Sequence, residues 1–134
     1  MKHKLRNAII LTSVCVGSLH IINQFISAAA TVKNLLPVRP GIFFNWKHGQ
    51  VYYRKFGSGK PLLLIHDLDP SSSAYEWNQL EQQLSKDFTV YSLDLPGCGR
   101  SEKPNMIYTN YFYVQLLNDF TEKVIKRKTS VAAT

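Results

Sequence analysis

The sequence predicts an α/β fold in which two parallel strands flank one crossover helix. Three observations carry that prediction. Residues 62–65 (LLLI) and 88–93 (FTVYSL) are short apolar runs of the kind that form strands buried on both faces. Between them lies a helical pattern, with Trp77, Leu80 and Leu84 at i, i+3 and i+7. Each run ends in a turn rich in Asp, Gly or Pro, and a helical connection between two such strands is parallel and right-handed.

The chain opens on MKHKLRN, then runs from Ala8 to Ala30 without an Asp, Glu, Lys or Arg. Twenty-three helical residues at about 1.5 Å each cross a hydrocarbon core of roughly 30 Å. His20, Asn23 and Gln24 weaken the second half. Two readings of residues 1–30 stand side by side. An uncleaved signal anchor keeps the segment in the bilayer, and its uncharged length favours this reading. A signal peptide is cleaved, and Ala28-Ala29-Ala30 supplies a small-residue site for that. Either way the basic leader predicts an amino terminus inside and a globular part outside, or else a secreted product. Residues 31–41, with Pro37 and Pro40, read as a linker.

Within 42–134, IFFNW and VYYRKF are rich in aromatic and β-branched residues and predict an antiparallel hairpin around Lys47-His48-Gly49-Gln50. Gly57-Ser58-Gly59-Lys60-Pro61 is a tight connection. It is not a phosphate-binding loop, because Pro61 stands where Ser or Thr must follow the Lys, and Arg54 where the first Gly belongs. Ser73 with Glu76 predicts a capping box for the crossover helix. A second helix is expected from about Thr109, with Tyr113, Leu116, Leu117, Phe120 and Val124 on one face. Residues 130–134 look like the start of a further strand.

The 134 residues have room for one modest domain; 45% are hydrophobic and 19% charged, a globular composition. The formal net charge is +7, but Lys2, Lys4 and Arg6 supply part of it and Lys123, Lys126, Arg127 and Lys128 much of the rest. The second cluster reads as a solvated helix end beside its own dipole. No nucleic-acid-binding motif accompanies the charge, so a nucleic-acid partner is not expected. Cys15 and Cys98 suggest no disulfide framework.

His66-Asp67 after the first apolar run, with Asp94-Leu95-Pro96-Gly97-Cys98-Gly99-Arg100-Ser101 after the second, resembles the N-terminal part of the α/β-hydrolase superfamily. The resemblance covers roughly residues 42–134. It implies a partial α/β-hydrolase fold, an N-terminal hairpin plus parallel strands with crossover helices, here preceded by a transmembrane or signal helix. In that family the first loop donates a backbone N–H to the oxyanion hole, which points by position to Leu68. Asp67 replaces the usual Gly, and a carboxylate beside a developing oxyanion is unfavourable unless it turns away or is neutralised. The family position of His66 is structural rather than that of the catalytic base. Asp94, Gly97, Gly99 and Ser101 make a sharp structural loop, with Asp94 accepting bonds from loop amides. The same loop fails as a dinucleotide fingerprint because Glu102 stands at the third Gly, and Cys98 has no base beside it.

The nucleophile elbow Gly-x-Ser-x-Gly occurs nowhere in the 134 residues, nor do the later acid and His. No catalytic residue is therefore expected within the chain. The expectation is an N-terminal fragment of a membrane-anchored serine hydrolase, inactive alone. The complete protein would cleave an ester or amide bond in a small-molecule substrate, without metal or organic cofactor. The alternative is a non-catalytic binding module, membrane-tethered or secreted.

Overall fold

A computed structural model describes residues 2–32 and 39–134. The chain divides into two compact units, Met1–Val38 and Arg39–Thr134. In the first, helix α1 spans Lys2–Val32. Among the described residues no helix is long and apolar enough to cross a membrane, so the span expected over residues 8–30 is not confirmed. His20 and Gln24 meet one turn apart at 3.1 Å, a hydrogen-bonded polar pair amid apolar neighbours. Most of the linker expected over 31–41 lies outside the described residues.

The second unit is built on a five-stranded mixed sheet in the order β1-β2-β4-β3-β5. Strands β1 (Ile42–Trp46) and β2 (Gly49–Phe56) form the predicted antiparallel hairpin, turning tightly at Gly49, whose φ of +129° suits glycine alone. Strand β2 also pairs antiparallel with β4 (Phe88–Leu93). Strands β3 (Lys60–Ile65) and β5 (Ser130–Ala133) add the parallel half, with Leu63 opposite Tyr91 on one side and Val131 on the other. The period of two sends alternate side chains to opposite faces. Leu63, Tyr91 and Leu93 face the main core with Trp46, Tyr53, Phe112 and Phe120, whereas Leu62, Leu64 and Val90 form a smaller core on the other face.

The crossover departs from its sequence pattern. It opens as a 3₁₀ turn, Ala74–Trp77, before the short helix α2, Asn78–Leu84. Ser73 is the N-cap and accepts from the Tyr75 N–H, but Glu76 turns to Ser72, Asp67 and Thr134 instead of closing the box. Three residues per turn at the start rotate the following face. Leu80 is therefore 44% exposed and Glu81 is buried at 2%. Glu81 is held by Arg54 at 2.7 Å and by the Ser92 hydroxyl.

Helix α3 (Asn110–Phe120) starts at the N-cap Thr109, which accepts from the Phe112 N–H. It buries Phe112, Leu116 and Phe120 and continues into a π-turn, Thr121–Ile125. The extra residue in that turn buries Ile125 as well, while Val124 packs partly buried against the main core as the sequence pattern placed it.

Candidate active site

Ligands of open α/β sheets bind beyond the carboxyl ends of the strands, and here two loops occupy that end, 66–73 after β3 and 94–101 after β4. The second loop is folded around one carboxylate. Asp94 is 1% exposed, and its Oδ1 accepts from the Ala74 N–H at 2.8 Å while Oδ2 accepts from the Arg100 N–H at 2.7 Å. Two donors facing one carboxylate fix both the start of the crossover helix and the far side of the loop. Gly99 makes that closure possible: its φ is +49°, and a Cβ there would overlap Asp94 Oδ2. Gly97, at φ +89°, turns the chain beside Tyr108.

Ser101 is buried and links this loop to the hairpin, donating to the Asp94 carbonyl and accepting from the Tyr52 N–H at 2.9 Å. The two loops are joined by His66, 1% exposed, whose Nε2 accepts from the Leu95 N–H at 2.9 Å while Nδ1 faces the Asp67 carbonyl at 2.6 Å. That pattern calls for the proton on Nδ1 and occupies both ring nitrogens.

Leu68 is 53% exposed at the rim. Its N–H donates to Asp67 Oδ1 at 2.7 Å, so the carboxylate that replaces the family's Gly sits on the amide assigned to the oxyanion. Asp69 accepts from both the side chain and the N–H of Ser71, which hold its carboxyl below the usual range. Burial pushes the Cys98 thiol up, and its Sγ faces the Asp69 carbonyl at 3.6 Å, so it stays a thiol at neutral pH.

A cleft of about 260 Å³ lies between the loops, lined by His66, Leu68, Leu95, Tyr113, Ala133 and Thr134. A second of about 300 Å³ shares Leu68 and Tyr113 and adds Pro96, Cys98 and Tyr108. The Tyr108 and Tyr113 rings stack with 13° between their planes. These tyrosines, Glu76 and Thr134 were not among the sequence-derived site residues. For Glu76, burial raises the carboxyl, but bonds from Ser72, Asp67 and Thr134 outweigh it and the net shift is downward. The Thr134 hydroxyl meets Glu76 Oε2 at 3.3 Å, so the end of β5 is tied to the crossover turn. Their positions are separated in sequence and carry no motif, which is why only the helical stripe signalled Tyr113. Among the described residues no group of three or more His, Cys, Asp and Glu side chains could hold a metal ion.

No described protein family's sequence profile matches the chain. An uncharacterized protein of Mycobacterium tuberculosis is 38% identical over 94 residues, covering 65% of this chain and 26% of that protein. A soluble epoxide hydrolase of Corynebacterium sp. is 44% identical over 55 residues, covering 41% of this chain and 18% of the enzyme. Among solved structures, an α/β-hydrolase fold protein from Burkholderia ambifaria superposes with a TM-score of 0.66 at 22% identity, over 72% of this chain and 35% of that one. A membrane phospholipase A superposes with a TM-score of 0.66 at 25% identity, over 100% of this chain and 44% of that one. The chain thus spans about a quarter or less of the curated relatives it matches.

Proposed function

Because the chain belongs to the α/β-hydrolase superfamily and carries part of its fold, we propose that it supplies the scaffold and one wall of the substrate cleft of a serine hydrolase acting on esters or amides. The observation that carries this reading is the convergence of three strand ends on one cleft. The loop after β3 brings Leu68, the loop after β4 brings Leu95, and β5 ends there in Ala133 and Thr134. In the superfamily the serine elbow follows the strand that corresponds to β5, so a nucleophile supplied from that point would rise beside the cleft. Leu68 N–H is the proposed oxyanion donor, and it can serve only once the Asp67 carboxylate releases it. His66, Asp94, Gly97, Gly99 and Ser101 position the two loops and touch no reacting atom. The 134 residues hold no elbow, so on this reading they do not turn over substrate alone.

The proposal includes attachment to a membrane through residues 8–30, with the amino terminus inside. Two observations support it. Helix α1 exposes Ile10, Leu11, Val14, Leu19, Ile22 and Phe25. The membrane phospholipase A superposes over the whole chain, α1 included.

The test is a chimera in which the mycobacterial relative's sequence beyond the matched region is joined after Thr134. Hydrolysis of p-nitrophenyl esters or anilides by the chimera is expected. A cooperatively folded chimera that is silent across a panel of esters and amides would refute the hydrolase reading.

A further inference from the structure

The cleft occupies the carboxyl ends of the parallel strands, and the opposite ends of β3 and β5 gather cations. Leu62 pairs with Ser130, and Lys60 and Lys128 each stand two residues before that first pair, at the same end of the two strands. Lys60, Arg127 and Lys128 line a concave surface of about 500 Å³, with Pro61, Thr129 and Ser130. Arg127 and Lys128 continue into an adjoining concavity of about 650 Å³ with Lys126 and Glu122.

All four cations are exposed, and among the described residues none of them forms an ion pair. Lys123, nearby, is already paired with Asp119 at 3.2 Å. Glu122 is the one acid lining either surface. A solvated helix end accounts for Lys126, which follows the π-turn in a left-handed conformation at φ 58°. It does not account for Lys60, which opens a strand, or for its sharing a concavity with Lys128, since like charges brought together repel.

We propose that this cationic end of the sheet is a docking surface for anionic phospholipid headgroups. Clustered Lys and Arg next to a bilayer gain affinity additively from its negative surface potential. A nucleic-acid strand is the poorer match, because no aromatic side chain lines either concavity to stack on a base. The inference rests on the membrane attachment proposed above for its biological setting: a chain held at a bilayer by α1 needs only weak headgroup contacts to settle on it. Docking by this end leaves the cleft, at the other end of β3, unobstructed.

The experiment is co-sedimentation of the full 134-residue chain with phosphatidylcholine vesicles and with vesicles containing about one part phosphatidylglycerol in three. Two variants accompany it. One carries Lys60→Gln, Arg127→Gln and Lys128→Gln together, and the other Lys60→Arg and Lys128→Arg. The ratio of anionic to neutral partitioning should fall at least about 10-fold in the first variant and persist in the second. A ratio unchanged in the glutamine variant, or lost equally in the arginine variant, would overturn the proposal. So would a charge-dependent shift of duplex DNA without any vesicle effect, which would assign the patch to nucleic acid. Binding to neutral vesicles reports α1 separately. Its absence with a charge-dependent ratio would remove the α1 attachment and leave the docking surface standing.

Discussion

Gly99 and Asp94 show how much of the candidate site hangs on single atoms. Substituting Gly99→Ala forces a left-handed residue to carry a Cβ into Asp94 Oδ2, and Asp94 holds two loop amides by that carboxylate. The cost should be about 3 kcal/mol in urea unfolding, since strain and lost charge-assisted bonds add. A change within about 0.5 kcal/mol would mean that the loop is not closed on Asp94. Cys98 offers a pH-dependent check. Burial raises its thiol, so less thiolate is present at any given pH than for a free cysteine. Iodoacetamide at mildly alkaline pH should modify Cys98 at least about 10-fold more slowly in the folded chain than in denaturant, read by peptide mass mapping. The turn itself was legible residue by residue, because the Asp94 bonds to Arg100 and Ser101 span only a few positions and its glycines have a conformational reason to be there, whereas the partners His66, Asp69, Ala74 and Tyr52 are distant in sequence. The Asp67 contact was not legible: the sequence shows the carboxylate replacing Gly, but not that it sits on the Leu68 amide.

Among the elements, the crossover helix is where the sequence pattern misled. An apolar stripe at i, i+3 and i+7 assigns Leu80 to the core, yet the 3₁₀ start rotates α2 and buries Glu81. The partners that make this tolerable, Arg54 and Ser92, come from β2 and β4, which no periodicity within the helix can reveal. Glu81→Ala should cost about 3–5 kcal/mol by leaving Arg54 unpaired, and Glu81→Leu with Arg54→Met should cost clearly less than Glu81→Ala. Equal losses in thermal unfolding would show that the pair is not coupled. The π-turn after α3 adds Ile125 to the buried face while Val124 stays partly buried against the same core. Helix α3 is also pinned to β1 by Trp46 Nε1–H donating to Asp119 Oδ2 at 2.6 Å. That bond, with the Lys123 ammonium, holds the Asp119 carboxyl below its ordinary 3.8. A lowered folded-state value stabilises fully above 3.8 and is lost as pH falls through the lower value. Asp119→Asn should therefore lower Tm at neutral pH, and the gap from the unsubstituted chain should narrow as the pH falls below 3.8. A gap constant with pH would remove the carboxylate from the interaction.

At the scale of the molecule, the parallel pair and its crossover were legible because strands buried on both faces read as unbroken apolar runs. The order β1-β2-β4-β3-β5 was not, since it depends on β2 pairing with a strand that comes two elements later. That order sets the hairpin beside the Asp94 loop and the end of β5 beside His66, and so makes the cleft. The same order brings Lys60 to the basic cluster at the other end. On the reading proposed here, the 134 residues build a hydrolase cleft wall and leave the nucleophile to residues beyond them. Hydrolysis of p-nitrophenyl butyrate by the purified chain, folded in mild detergent, addresses this without further construction. No turnover above the heat-denatured sample is predicted. Saturable turnover that disappears on denaturation would place a working nucleophile within these residues and contradict the reading.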